Sequence, residues 1–536
     1  MRARLLFLFL VLALMATTLS LGCRKRSTAF VIALSDNIKT IDPIGSPSVD
    51  AASERVRVLM FNSLVKKDAK FDYVPELASD IKRSDDGMTF TFTIRDGVTF
   101  HDGRPLTSAD AKYTVDTVLA SSFAKAASFF ESSGPPATAA NSTPPAKKSY
   151  VAGVEAPDAR TLIIRLNKPW TGLLPNLVPI AIIPKDSYES EKTHPIGTGP
   201  FKFKSYDSAQ QVVEMEANPT YWEGAPQIAS VRARVIGDAN ALQAELKSGR
   251  VEIAPLPTSL SPDAIKSLGD DPNLQVQQFP GSNLGYLLFN CQERPLDNVK
   301  VRQAISYAVD RESMIRDLLL NQAKLAHSIL PEESWAYTPG MKYTYDPSLA
   351  KKLLDEAGFP DPDGDGPKMR FPKPIIFKIS GSSAAARQYS QLIQNYLKSV
   401  GVEVSIETAE LNTLFEALKR GQFQMFYGQW VGGNQDPIFY RDLFATSEIP
   451  TPARASRNRS RYSNKDLDVI LDEAANTFDR VKAAGLYARA QEIISRDVPL
   501  FPLWYQANMV VAKKTVGNIK IDASGDWGFV RSLTVK

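Results

Sequence analysis

The chain changes its secondary-structure rhythm near residue 295, and that change constrains its fold more than any single motif. Before it the sequence is written mainly in strands. Thr89-Phe-Thr-Phe-Thr-Ile94 alternates apolar and polar residues behind the turn Asp85-Asp-Gly87, and Thr161-Leu-Ile-Ile-Arg-Leu166 repeats the pattern. Further strands are predicted at 201–206, 212–216, 228–235, 285–290 and 375–379. Helical spacing appears at 299–320, 349–357, 385–400, 412–420, 464–476 and 481–497. Asp346-Pro347-Ser348 offers a helix start and Gly358 a stop. At 536 residues the chain exceeds what one hydrophobic core supports, and about two to four lobes are expected. The asymmetry between the halves predicts at least two lobes of mixed α/β type.

The first 22 residues read as a secretory signal. Arg2 and Arg4 precede the apolar run Leu5–Leu14, which is well under the ~20 residues of a spanning helix. Leu21-Gly22-Cys23 is similar to a bacterial lipobox, with Ser20 standing where that motif usually has Leu. Cys23 is therefore expected to be acylated and to become the first mature residue, anchoring the chain to a membrane through several acyl chains where one would hold only marginally. Cys291 then lacks a disulfide partner and is read as a small buried apolar residue.

Composition removes several function classes. The formal charge of +4 falls to about +2 without Arg2 and Arg4, and no basic face of the kind that binds nucleic acid is evident. His101, His194 and His327 are the only histidines and are scattered, which supplies poorly a zinc site or a conventional triad. Gly-x-Ser-x-Gly, His-Glu-x-x-His and Walker motifs are absent. Asp361-Pro-Asp363-Gly-Asp365-Gly366 begins like a calcium loop, but Pro372 occupies the position of the bidentate Glu, so an acidic turn is expected and no metal or cofactor is assigned. Residues 120–148, rich in Ala, Ser and Pro, read as a surface insertion. Arg454, Arg457, Arg459 and Arg461 read as a solvated basic loop.

Three stretches, in order and spacing, resemble the family 5 bacterial extracellular solute-binding proteins that serve oligopeptide, dipeptide and nickel importers. The first runs through Leu64-Val-Lys-Lys-Asp68, Pro75-Glu-Leu-Ala78, Phe100-His-Asp-Gly103 and Leu106-Thr-Ser-Ala-Asp110. The second is Gly197-Thr-Gly-Pro-Phe201 with Asn218-Pro-Thr-Tyr-Trp222. The third is Phe289-Asn290, Val301-Arg-Gln-Ala304 and Ala308-Val-Asp-Arg311. These pieces read as marks of a fold. Asp102-Gly103 suits a bend, His101 a structural role, Gly197 and Gly199 a close backbone approach, and Arg302, Asp310 and Arg311 are expected to pair or cap around one helix.

The resemblance implies an α/β, two-lobed periplasmic-binding-protein clamshell (type II, cluster C-like) with an extra inserted subdomain. Lobe I would combine 23–70, 195–283 and 510–536; the inserted subdomain II would be 71–194; lobe III would be 284–509. Gly428-Gln-Trp430-Val-Gly-Gly433-Asn434-Gln-Asp436-Pro437 resembles the cleft motif Trp-x-x-Asp-x-x-Asp-Pro. In peptide-binding members the first Asp holds the ligand's α-ammonium; here Gly433 stands there and cannot. Either Asn434, Asp436 or another acid receives an amine from a shifted position, or the ligand lacks a free α-amine. Ser35, Asp36, Asn37, Tyr286, Trp504, Tyr505 and Asn508 are further ligand-contact candidates by the same resemblance.

The function implied is a monomeric, lipid-anchored substrate-binding protein in the periplasm or on the cell surface. It would capture a peptide or other small organic solute and deliver it to the transmembrane subunits of an ABC permease, without catalysis. A carboxylate-pair hydrolase and a periplasmic sensor or folding helper are the alternatives.

Overall fold

The computed structural model describes residues 29–46, 50–131, 148–364, 366–430, 436–451 and 456–536. Cys23, Gly433, Asn434, Arg454 and Asp365 lie outside the described residues. Among those described, one eleven-stranded sheet runs through the molecule. Its order is Val404–Ala409, Ile375–Ser380, Met425–Trp430, Leu274–Phe289, Leu500–Lys513, Ile253–Pro255, Phe30–Leu34, Ser230–Val235, Val212–Ala217 and Phe201–Asp207, with Ala323–Leu325 paired beside Leu500–Lys513. Phe30–Leu34 lies parallel to Ser230–Val235, which brings segments about 200 residues apart into one ladder. A separate four-stranded antiparallel sheet orders Ala78–Arg83, Thr89–Ile94, Thr161–Leu166 and Val151–Asp158.

The two regions of the large sheet have separate interiors. One apolar cluster joins Ile32, Val56 and Val231 to Phe92 and Ile164, so the small sheet shares its core with the first lobe. In the other half, Leu287, Phe377 and Tyr427 pack on one face and Leu284, Phe426 and Tyr505 on the opposite face. This follows from the period-two alternation of strands covered by helices on both sides.

Local chemistry follows several of the sequence signals. Gly87 and Gly103 adopt φ of 70° and 89°, as their turns require. A Cβ on Gly197 would lie 2.0 Å from the Met60 carbonyl oxygen, so only glycine permits that approach. The Gly197 amide donates to His101 Nδ1 at 3.2 Å, and His101 Nε2 donates to the Gly199 carbonyl at 3.1 Å. That fixes a neutral, structural imidazole, with burial pushing its pKa down to about 4.

The predicted helix at 299–320 is corrected to two helices, Val299–Ala308 and Arg311–Asp317. Asp310 caps the second by accepting from the Ser313 amide at 3.0 Å. Arg302 and Arg311 do not pair around a helix. Arg302 donates to the carbonyls of Leu296, Asp497 and Val498, and Arg311 to those of Ala326, Tyr343 and Pro502. Arg302 ties its helix to the end of the helix Arg480–Asp497, and Arg311 ties its own to the returning strand Leu500–Lys513. No helix among the described residues is long and apolar enough to cross a membrane.

Candidate ligand-binding cleft

Two long strands connect the halves of the large sheet, and their ladder breaks between them. Leu274–Phe289 pairs with Leu500–Lys513 up to Phe279↔Asn508, loses register, and resumes at Asn283↔Gln506. Gly281 sits in the break, where a Cβ would be 1.9 Å from the Gln506 carbonyl oxygen. Asn508 is buried there, its amide donating to the carbonyls of Pro280 at 2.8 Å and Asp522 at 3.0 Å. The structure thus places Asn508 in the connection between lobes, with its donors engaged by backbone.

The other predicted residues fall into distinct places. Trp430 ends Met425–Trp430, is half-buried, and has its ring 6.5 Å from that of Phe439. Tyr286 lies opposite Gly428 in the neighbouring strand, and its hydroxyl occupies the space a Cβ on Gly428 would need. Tyr286 and Trp430 share one face of the sheet. Trp504 lies on the other face, 1 % exposed, packed edge-on against Tyr389. Tyr505 is buried with its hydroxyl on the carbonyls of Ser328 and Leu330. Ser35 Oγ lies 3.3 Å from Ser259 Oγ, while Asp36 and Asn37 are exposed at the end of Phe30–Leu34.

Asp436 joins the two lobes. Its Oδ1 accepts from the Ile438 amide at 2.8 Å, which starts the turn into the helix Phe439–Phe444. Its Oδ2 accepts from the Tyr73 hydroxyl of the opposite lobe at 2.6 Å. Burial pushes the Asp436 carboxyl above its ordinary range. Lys67 faces both Asp436 and Asp526, and burial pushes its ammonium down to about 8. Arg55 in turn faces Asp526 and Asp36. Electrostatic influence therefore runs from Asp436 through Lys67, Asp526 and Arg55 to Asp36, with Arg57 also acting on Asp526.

One flank of this boundary is closed by direct contact. Arg480 pairs with Asp72 and stacks 3.9 Å over the Trp335 ring, whose backbone amide donates to the Lys70 carbonyl at 3.2 Å. Arg83 lies 4.2 Å over Phe478, and Thr171 Oγ1 donates to the Ala475 carbonyl at 2.7 Å. A pocket beside this flank is lined by Ile329, Leu330, Trp430, Asp436, Phe439 and Tyr440 among others. Its wall is apolar and aromatic with a single carboxylate, and its free interior of about 10 Å³ is the space of one water molecule.

Arg55, Lys67, Tyr73 and Asp526 were not among the residues singled out from sequence. One signal was available. In the strand Val65–Lys67 two consecutive lysines must point to opposite sides, so one of them faces protein. Lys66 takes Glu223 at 3.0 Å, and Lys67 turns toward the boundary acids.

A model of the bacterial extracellular solute-binding proteins, family 5, matches residues 72–450. The chain belongs to that family. This solute-binding protein is 28% identical over 498 residues to the dipeptide-binding protein of Escherichia coli K12, with 88% of each chain covered. It is 29% identical over 480 residues to heme-binding protein A of Haemophilus influenzae, covering 86% of this chain and 83% of that one. Among solved structures, the ABC transporter substrate-binding protein CtaP of Listeria monocytogenes superposes with a TM-score of 0.80 at 24% identity, covering 95% of this chain and 99% of CtaP. The two-lobed α/β architecture is that of the family.

Among the described residues no group of three or more His, Cys, Asp or Glu is arranged to hold a metal ion. In the acidic turn, Asp361 Oδ1 accepts from the Asp363 amide and Asp363 Oδ2 from the Lys368 amide, so both carboxylates serve the turn itself.

Proposed function

We propose that this protein captures a peptide or related small organic solute between its lobes and delivers it to the transmembrane subunits of an ABC permease, acting by binding and release without chemistry. The observation that carries the reading is the pair of strands with its register break at Phe279/Asn283, which connects two separately cored halves. The half-buried Trp430 and the Asp436 carboxyl lie at the boundary those halves share. A hinge between rigid bodies lets a solute shift an open–closed equilibrium by its preference for the closed form. The likeness to a dipeptide-binding protein and to an ABC substrate-binding protein supports a peptide-type importer.

In this reading 23–70, 195–283 and 510–536 move as one lobe with the insertion 71–194, and 284–509 as the other. Trp430, Tyr286, Asp36, Asn37, Gly433, Asn434 and Asp436 face the solute, while Ser35, Trp504, Tyr505 and Asn508 support the lobes behind it. Acylated Cys23 holds the monomer to a membrane on the periplasmic or outer side. Native mass spectrometry of protein purified from its host tests the proposal. A bound organic molecule, released intact on heating, is expected; a chemically altered product would point to a hydrolase instead. Gly433→Asp should improve capture of peptides with a free α-amine by roughly tenfold, the scale of a charge-assisted hydrogen bond in a dry site.

A further inference from the structure

Arg459 differs from its neighbours in the basic loop. Arg457 Nη1 lies 3.5 Å from Asp442, and Arg461 Nη2 donates to the Lys419 carbonyl at 2.7 Å. Arg459 instead lies 4.8 Å over the Phe415 ring. Its buried Nε, like that of Arg461, has no hydrogen-bond partner among the described residues, but unlike Arg457 and Arg461 it has neither a carboxylate nor a carbonyl contact among them. The charged or polar groups that act on it are the Tyr286 phenol and the like charge of Arg457. The adjoining segments 431–435 and 452–455 contain no Asp or Glu. A half-buried guanidinium without a carboxylate is costly, and such groups are ordinarily paired.

The surroundings identify where the missing partner would come from. Arg457 lies 5.8 Å over the Phe439 ring, which neighbours Trp430 at 6.5 Å. Tyr286 and Trp430 share the face of the sheet on which Phe415 also packs. Two arginines thus flank an aromatic patch that reaches the lobe boundary through Trp430, and only one of them has an acid. A guanidinium set over an aromatic ring can still turn its edge donors toward a planar oxyanion.

We propose that Arg459, backed by Phe415 and flanked by Tyr286, receives an anionic oxygen group, carboxylate or phosphate, on the solute bound beside Trp430. The inference rests on the solute-binding reading above and narrows its substrate class to anionic solutes. It also accords with Gly433, which removes an acid from the same motif.

The test is capture from a low-molecular-weight solute pool extracted from host cells, read by native mass spectrometry. Wild-type protein is offered the untreated pool, a methyl-esterified pool and a phosphatase-treated pool; Arg459→Gln and Arg459→Lys are offered the untreated one. Loss of capture by roughly tenfold or more on esterification supports a carboxylate, and the same loss on phosphatase treatment supports a phosphate. Arg459→Gln should then capture the untreated pool as weakly as wild type captures the treated one, and Arg459→Lys should recover part. Capture that survives both treatments overturns the proposal and leaves solute binding intact; these arms use wild type alone and do not depend on how the variants fold. Capture by Arg459→Gln equal to wild type, with matching melting curves, overturns it too. If wild type retains nothing from the untreated pool, the solute-binding reading falls and takes this one with it.

Discussion

The Tyr73 hydroxyl donates to Asp436 Oδ2 at 2.6 Å across the boundary between lobes, 363 residues away in sequence. The carboxylate also starts the turn into Phe439–Phe444, so one side chain both shapes the local backbone and receives the opposite lobe. Tyr73→Phe removes only the interlobe bond. A hydrogen bond contributes about 0.5–1.5 kcal/mol to a neutral partner and about 1.5–3 kcal/mol to a charged one, so the closed form should lose roughly two- to a hundredfold in population. Small-angle scattering of the ligand-free variant should show a larger radius of gyration than wild type, with an unchanged melting temperature for the individual lobes.

Glu191 gives the pH dependence a sign. It is fully buried, accepting from the Ile196 amide at 2.6 Å and from Ser187 Oγ at 3.0 Å, and burial pushes its carboxyl from 4.5 up to about 7. Between those values the folded chain holds a proton that the unfolded chain has released, so this group's contribution to stability falls as pH rises from about 4.5 to about 7. Glu191→Gln can keep both hydrogen bonds and should flatten that decline in thermal melts across the window. Glu54 has the opposite sign. Arg57 and Lys125 outweigh its desolvation and hold it at about 2, so its contribution is complete above 4.5 and lost as pH falls through about 2.

Gly281 tests the connection between lobes. Placing a Cβ 1.9 Å from the Gln506 carbonyl forces the two connecting strands apart. Gly281→Ala should lower stability by about 1–3 kcal/mol in urea titration and weaken solute capture, while leaving the circular dichroism of both lobes native.

Cys291 is half-buried on an apolar cluster, and burial pushes its thiol up to about 11. Because the thiolate is the reactive form, labelling by iodoacetamide at pH 8 should be at least ten times slower than for a free thiol and should reach a normal rate only in denaturant.

The local grammar of the fold was legible in sequence, and its long-range charge pairing was not. Thr89–Ile94 and Thr161–Leu166 stand where alternation placed them, and the Asp-Gly turns supply the positive φ they promised. The break between Ala308 and Arg311 was missed because apolar spacing continues across it, and only the Asp310 cap ends the first helix and starts the second. Trp504 and Trp430 look alike in sequence, yet register sends them to opposite faces of one sheet. The chain of charges Asp36, Arg55, Asp526, Lys67, Asp436 draws on five separate segments, and no periodicity connects them.

The direct measurement is single-molecule energy transfer between dyes on Ser205→Cys and Lys398→Cys, at exposed sites on opposite halves, with Cys23→Ser and Cys291→Ser. Adding the host solute pool should convert a low-transfer population to a high-transfer one, in proportion to the solute retained by native mass spectrometry. A transfer distribution that stays fixed while solute binds would contradict closure of the two lobes over it.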